Sequence, residues 1–97
     1  MTSNHAMNRM IARCDPAFGV APYQAMRRAE SAVKSVLRKR DLDAFVLIVA
    51  QAPVRVKVGR SNGDWLCVLV RNGDIVTVML RRSGQSRLEG LPHFRVN

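Results

Sequence analysis

Hydrophobic residues recur at helical spacing up to about residue 40, and beyond it they run continuously or alternate. Thr2, Ser3 and Asn4 offer N-cap oxygens to a first helix over about residues 4 to 14, with Met7, Met10, Ile11 and Cys14 on its apolar side. Asp15-Pro16 ends that helix, because the residue before a proline is driven out of the helical region. Pro22 suits the first position of a second helix over about residues 22 to 40, where its missing N–H removes no hydrogen bond. Met26, Ala29, Val33, Val36 and Leu37 form the stripe expected to be buried, and Glu30 and Lys34 make an i, i+4 pair. Arg27, Arg28, Lys34, Arg38, Lys39 and Arg40 are expected to face water, and the terminal basic run also complements the negative end of the helix dipole.

The second half reads as β. Ala44 to Ala50 is an unbroken apolar run, as expected of a strand buried on both faces. Val54 to Val58 alternates valine with Arg55 and Lys57, and Trp65 to Val70 and Ile75 to Leu80 are two further strands. Asn62-Gly63 and Asn72-Gly73 are the strongest short hairpin signals in the chain. The segment from Ser83 to Asn97 reads as an irregular tail. The expected architecture is α+β: two N-terminal helices packed on a four-stranded antiparallel meander, in one domain.

Two-residue turns also imply a register. A turn at Asn72-Gly73 sets Val70 opposite Ile75, Val68 opposite Thr77 and Leu66 opposite Met79, while one at Asn62-Gly63 sets Lys57 opposite Val68 and Arg55 opposite Val70. One face then carries Trp65, Cys67, Leu69, Val76, Val78 and Leu80 with the valines of 54–58, for the helices to cover. The other carries Arg55, Lys57, Val68, Val70, Ile75, Thr77, Met79 and Arg81. One extra residue in either hairpin would reverse that parity.

Composition changes the picture through charge. The 97 residues and 47% apolar content suit one small core, but 16 Lys and Arg against 7 Asp and Glu leave a net charge of +9. Such a balance draws anionic partners: nucleic acid first, an acidic protein on the same surface second, a membrane surface as the weaker option. A solvated basic surface serving solubility alone is the bland alternative. Cys14 and Cys67 lie far apart with no CxxC or Cys/His cluster, which argues against a disulfide framework or a zinc site. The longest apolar run is far below spanning length, so a soluble, cytoplasmic protein without membrane association is expected.

His5, Arg9 and Arg13 stand four residues apart, which on a helix aligns a base and two permanent cations in one stripe. Metal-assisted hydrolysis has no support in the scattered acids, and no nucleophile motif or glycine-rich phosphate loop is present. No cofactor is expected. Metal-free RNA cleavage needs less: a base for the 2′-hydroxyl proton, cations for the charge that develops on phosphorus, and an acid for the leaving oxygen. His5 is the candidate base, and Arg9, Arg55, Lys57 and Arg81 are candidate phosphate clamps. Arg13, Arg60 and Arg82 extend the cationic set, and Thr77 is placed to hydrogen-bond a phosphate oxygen. Alone, His5 is equally a surface or capping residue and Thr77 an ordinary β-former.

The stretch His5-Ala6-x-x-Arg9-Met10-x-x-Arg13 resembles the HAxxRMxxR opening of a bacterial domain family of unknown function allied to BrnT toxins. The stretch from Gly63 to Arg82, with Val76-Thr77-Val78, resembles that family's closing hairpin. Cys14 stands where the family has glycine, and the middle of the chain has no counterpart. The resemblance implies a RelE-like fold of the barnase, EndoU, colicin and RelE group, a metal-independent toxin ribonuclease, and His5, Arg9, Thr77 and Arg81 as its catalytic positions. RNA and an acidic antitoxin are the partners it implies. The competing expectation is a non-enzymatic protein of phage or plasmid origin that binds nucleic acid or inhibits a nucleic-acid enzyme.

Overall fold

The computed structural model describes residues 2–14, 18–52, 65–82 and 88–96. Its elements are α1 (Asn4–Arg13), α2 (Pro22–Lys39), β1 (Ala44–Gln51), β2 (Trp65–Arg71), β3 (Asp74–Arg81), a 3-10 turn at Leu88–Gly90, and β4 (His93–Arg95). The class is α+β, with two helices and a four-stranded sheet in the order β3-β2-β1-β4. The sheet is mixed, which corrects the antiparallel meander: β1 pairs antiparallel with β2 and parallel with β4. A parallel neighbour needs a crossover connection, and here it is the segment read as an irregular tail that returns to β1.

The helices begin where the sequence placed them. Ser3 is the N-cap of α1, its hydroxyl oxygen accepting from the Ala6 N–H at 3.0 Å, and Pro22 opens α2. Ala25, Met26, Ala29 and Val33 of α2 are buried, but Leu37 is 37% exposed and leaves the expected stripe. Ala6 and Met10 of α1 join these residues in one core with Phe45, Leu47, Val49, Leu66, Val68, Val70, Ile75 and Val78. Full burial of each large side chain contributes about 1.5–3 kcal/mol.

The other sheet face has its own smaller cluster. Val46, Ile48 and Cys67 are buried there, with Trp65, Leu69, Met79, Leu88 and Leu91 packed around them. The unbroken run in β1 is therefore covered on both sides, as its composition required. Part of the second cover is Leu88 and Leu91, from the segment expected to be irregular. β4 follows it, held by the Val46 N–H donating to the Pro92 carbonyl and the Val96 N–H to the Ile48 carbonyl, both 2.9 Å. Phe94 meets Phe45 edge to face at 5.8 Å, and the Arg40 guanidinium lies 5.3 Å from the Phe94 ring centroid.

The hairpin between β2 and β3 turns at Asn72-Gly73, both at positive φ (52° and 81°), as a type I′ turn requires. Val70 pairs with Ile75 as the turn dictates, but the next pair is Leu69 with Thr77, followed by Val68 with Val78 and Cys67 with Met79. Val76 is the extra residue of a β-bulge. It shifts every later pair by one position relative to the expected register. The face assignment is corrected with it. Leu66, Val68, Val70, Ile75, Val78 and Leu80 belong to the helix-side core, while Trp65, Cys67, Leu69 and Met79 belong to the far side. The 54–58 strand, with Arg55 and Lys57, lies outside the described residues, as do Asn62-Gly63 and Arg60. The positions opposite Val68 and Val70 that had been expected for Lys57 and Arg55 are occupied by Leu47 and Phe45 of β1.

Candidate nucleic-acid interface

The start of the chain is tied to β3. Thr2 forms a parallel bridge with Ile75, and the Ser3 N–H donates to the Ile75 carbonyl at 3.2 Å. The Thr2 hydroxyl donates to Glu30 Oε2 of α2 at 2.7 Å, so both helices share this anchor. From it α1 packs along β3. The two elements carrying the predicted catalytic positions are thereby neighbours, although they are distant in sequence.

Within α1 the buried side is centred on Ala6 and Met10. His5 and Arg9 lie exposed, and Ile11, expected on the apolar side, is 46% exposed. Rotation toward Ala6 brings the last member of the stripe to the margin of the core: Arg13 is half-buried, and its Nε is buried without a hydrogen-bond partner. An unsatisfied buried donor of this kind costs about 1–3 kcal/mol. No acidic residue occupies the first turn of α1; an acid beside its start is Glu30 of α2, bound by Thr2.

Beyond α1, the half-buried Cys14 thiol donates to the Val20 carbonyl at 2.8 Å, and Cys67 is buried in the far-side cluster. On β3, Thr77 and Arg81 are half-buried and pair with Leu69 and Trp65, which puts both positions on the far face of the sheet. Arg82 follows, exposed. The structure thus brings α1 and β3 side by side but does not gather the four positions on one face. His5 and Arg9 are on the helix that covers one face, and Thr77 and Arg81 are at register positions of the other. Among the described residues no group of three His, Cys, Asp or Glu could hold a metal ion. No described helix is long and apolar enough to cross a membrane.

The chain matches no family model, no curated protein and no solved structure.

One basic residue near a cavity escaped the sequence reading. Arg28, placed with the water-facing cations, is half-buried beside the C-terminal strand. The signal was present in Phe94 and Val96, which alternate with His93 and Arg95 as a short strand should.

Proposed function

We propose that the protein is a metal-independent ribonuclease of the toxin type acting on RNA, with an acidic antitoxin as its natural inhibitor. The observation that carries this reading is the packing of α1, with exposed His5 and Arg9, against β3, the strand that bears Thr77 and Arg81 and ends the described sheet. An RNA strand lying over that edge meets the helix residues from one side and the far-face residues from the other.

In this mechanism His5 removes the 2′-hydroxyl proton, the 2′-oxygen attacks phosphorus, and the bond to the 5′-oxygen breaks as that oxygen takes a proton from solvent water. The products carry a 2′,3′-cyclic phosphate and a 5′-hydroxyl. Arg9, one turn along α1 from His5, neutralises the charge that develops on the non-bridging oxygens, while Thr77 and Arg81, on the other face of the sheet, hold a neighbouring stretch of the strand. Arg13 and Arg82 extend the contact to flanking phosphates, and the buried Nε–H of Arg13 gains an acceptor when its side chain swings out. An acidic protein covering the same edge would silence the enzyme by occupying its cations.

The second reading is a non-enzymatic binder of nucleic acid, of phage or plasmid origin. It is favoured by the assignment of His5 and Thr77 to different sides of the sheet edge. Incubation of the protein with total RNA in EDTA separates the two. Fragments with cyclic-phosphate ends, lost in His5→Ala while RNA affinity persists, support the nuclease. Intact RNA with salt-sensitive binding, unchanged in His5→Ala, supports the binder.

A further inference from the structure

At the end of the sheet away from α1, two open cavities of about 310 and 360 Å³ lie side by side between α2 and β4. Arg28, Arg95 and Val96 line both. Residues 28, 31, 32, 35 and 36 recur at helical spacing, so Arg28, Ser31, Ala32, Ser35 and Val36 present one face of α2 to the first cavity. Three of the five, Ser31, Ala32 and Ser35, are small and leave the space above the strand unfilled. The second cavity is lined by Phe18, Val20 and Val49, with Gln51 among its polar residues. Among the described residues no acid lines either cavity.

We infer that this groove binds a phosphate ester of nucleotide size, with its phosphate between Arg28 and Arg95 and its body along Phe18 and Val20. Two guanidinium groups from separate elements, with Ser31 and Ser35 lining the same cavity, supply more donors than the two oxygens of a carboxylate can accept. They suit the three non-bridging oxygens of a phosphate. Each cavity falls at the lower end of the range for small-molecule sites, about 300–1,000 Å³, which accommodates a mononucleotide rather than a larger cofactor. Gln51, which also lines the second cavity, carries an amide able to donate to and accept from a base edge. His5, Arg9, Arg13, Thr77 and Arg81 line neither cavity, so this site stands or falls apart from the ribonuclease reading.

Titration of the intact protein with AMP, followed by NMR of backbone amides and arginine Nε–H groups, tests it. The expected result is saturable shifts at Arg28, Arg95 and the Ser31–Ser35 turn, with adenosine, which lacks the phosphate, binding at least about tenfold more weakly. Arg95→Ala, at an exposed position that leaves the fold intact, and Arg28→Ala should each weaken AMP by a similar factor. The inference is overturned if AMP shifts none of these signals, if adenosine binds as well as AMP, or if neither variant changes the affinity.

Discussion

The two faces of the sheet are built from one set of strands yet covered in different ways. On one, α1 and α2 contribute Ala6, Met10, Ala25, Met26, Ala29 and Val33 to a core that includes Phe45 and Leu47. On the other, Val46, Ile48 and Cys67 are buried, and the described residues packed over them, among them Leu88 and Leu91, are only partly buried. The lesson is that β1 needs both covers. Its neighbouring residues point in opposite directions, and a strand without a polar side cannot leave either face in water.

Leu47 and Ile48 make the sharpest test of this difference, being isomeric side chains at adjacent positions of one strand. Leu47→Ala, beneath the helices, should lower the unfolding free energy by about 3–5 kcal/mol in a denaturant titration. Ile48→Ala should cost less, about 2–3 kcal/mol, because Ile48 is slightly less buried and its described neighbours Leu88 and Leu91 are themselves only partly buried. Equal losses would mean that the far face is packed as tightly as the helical one. Leu91→Ala should cost about 1–2 kcal/mol and enhance amide exchange in β4 more than in α2. On the helical side, Ser3→Ala should remove about 1 kcal/mol by leaving the Ala6 N–H without its acceptor, visible as a lower melting temperature. The smallest effect on stability belongs to His5→Ala, within about 0.5 kcal/mol for an exposed side chain, although cleavage should disappear. A large loss of stability there would recast His5 as a structural residue.

Local chemistry made much of this legible. Ser3 and Pro22 mark the helix starts, Asn72-Gly73 marks the turn, and the run in β1 marks a strand buried on both sides. What escaped is non-local or one residue deep. Neither Val49 nor Val76 differs in kind from its neighbours, yet each is the extra residue of a bulge and changes which side chains share a face. β4 escaped because it is three residues long and its partner lies in β1, far back in the chain. In the candidate interface, the spacing of His5, Arg9 and Arg13 was readable as a stripe. The burial of the Arg13 Nε was not, since it depends on which side of α1 meets β3.

The bulge at Val76 also makes the hairpin forgiving of a change in length. With Ile75 opposite Val70 and Thr77 opposite Leu69, deletion of Val76 leaves both pairs in place and simply completes a regular ladder. Deletion of Val78, a regular member of the same strand, would instead turn Met79, Leu80 and Arg81 onto the opposite faces. In a lineage that gains and loses codons, position 76 is therefore where β3 can shorten without disturbing the chemistry carried by the residues after it.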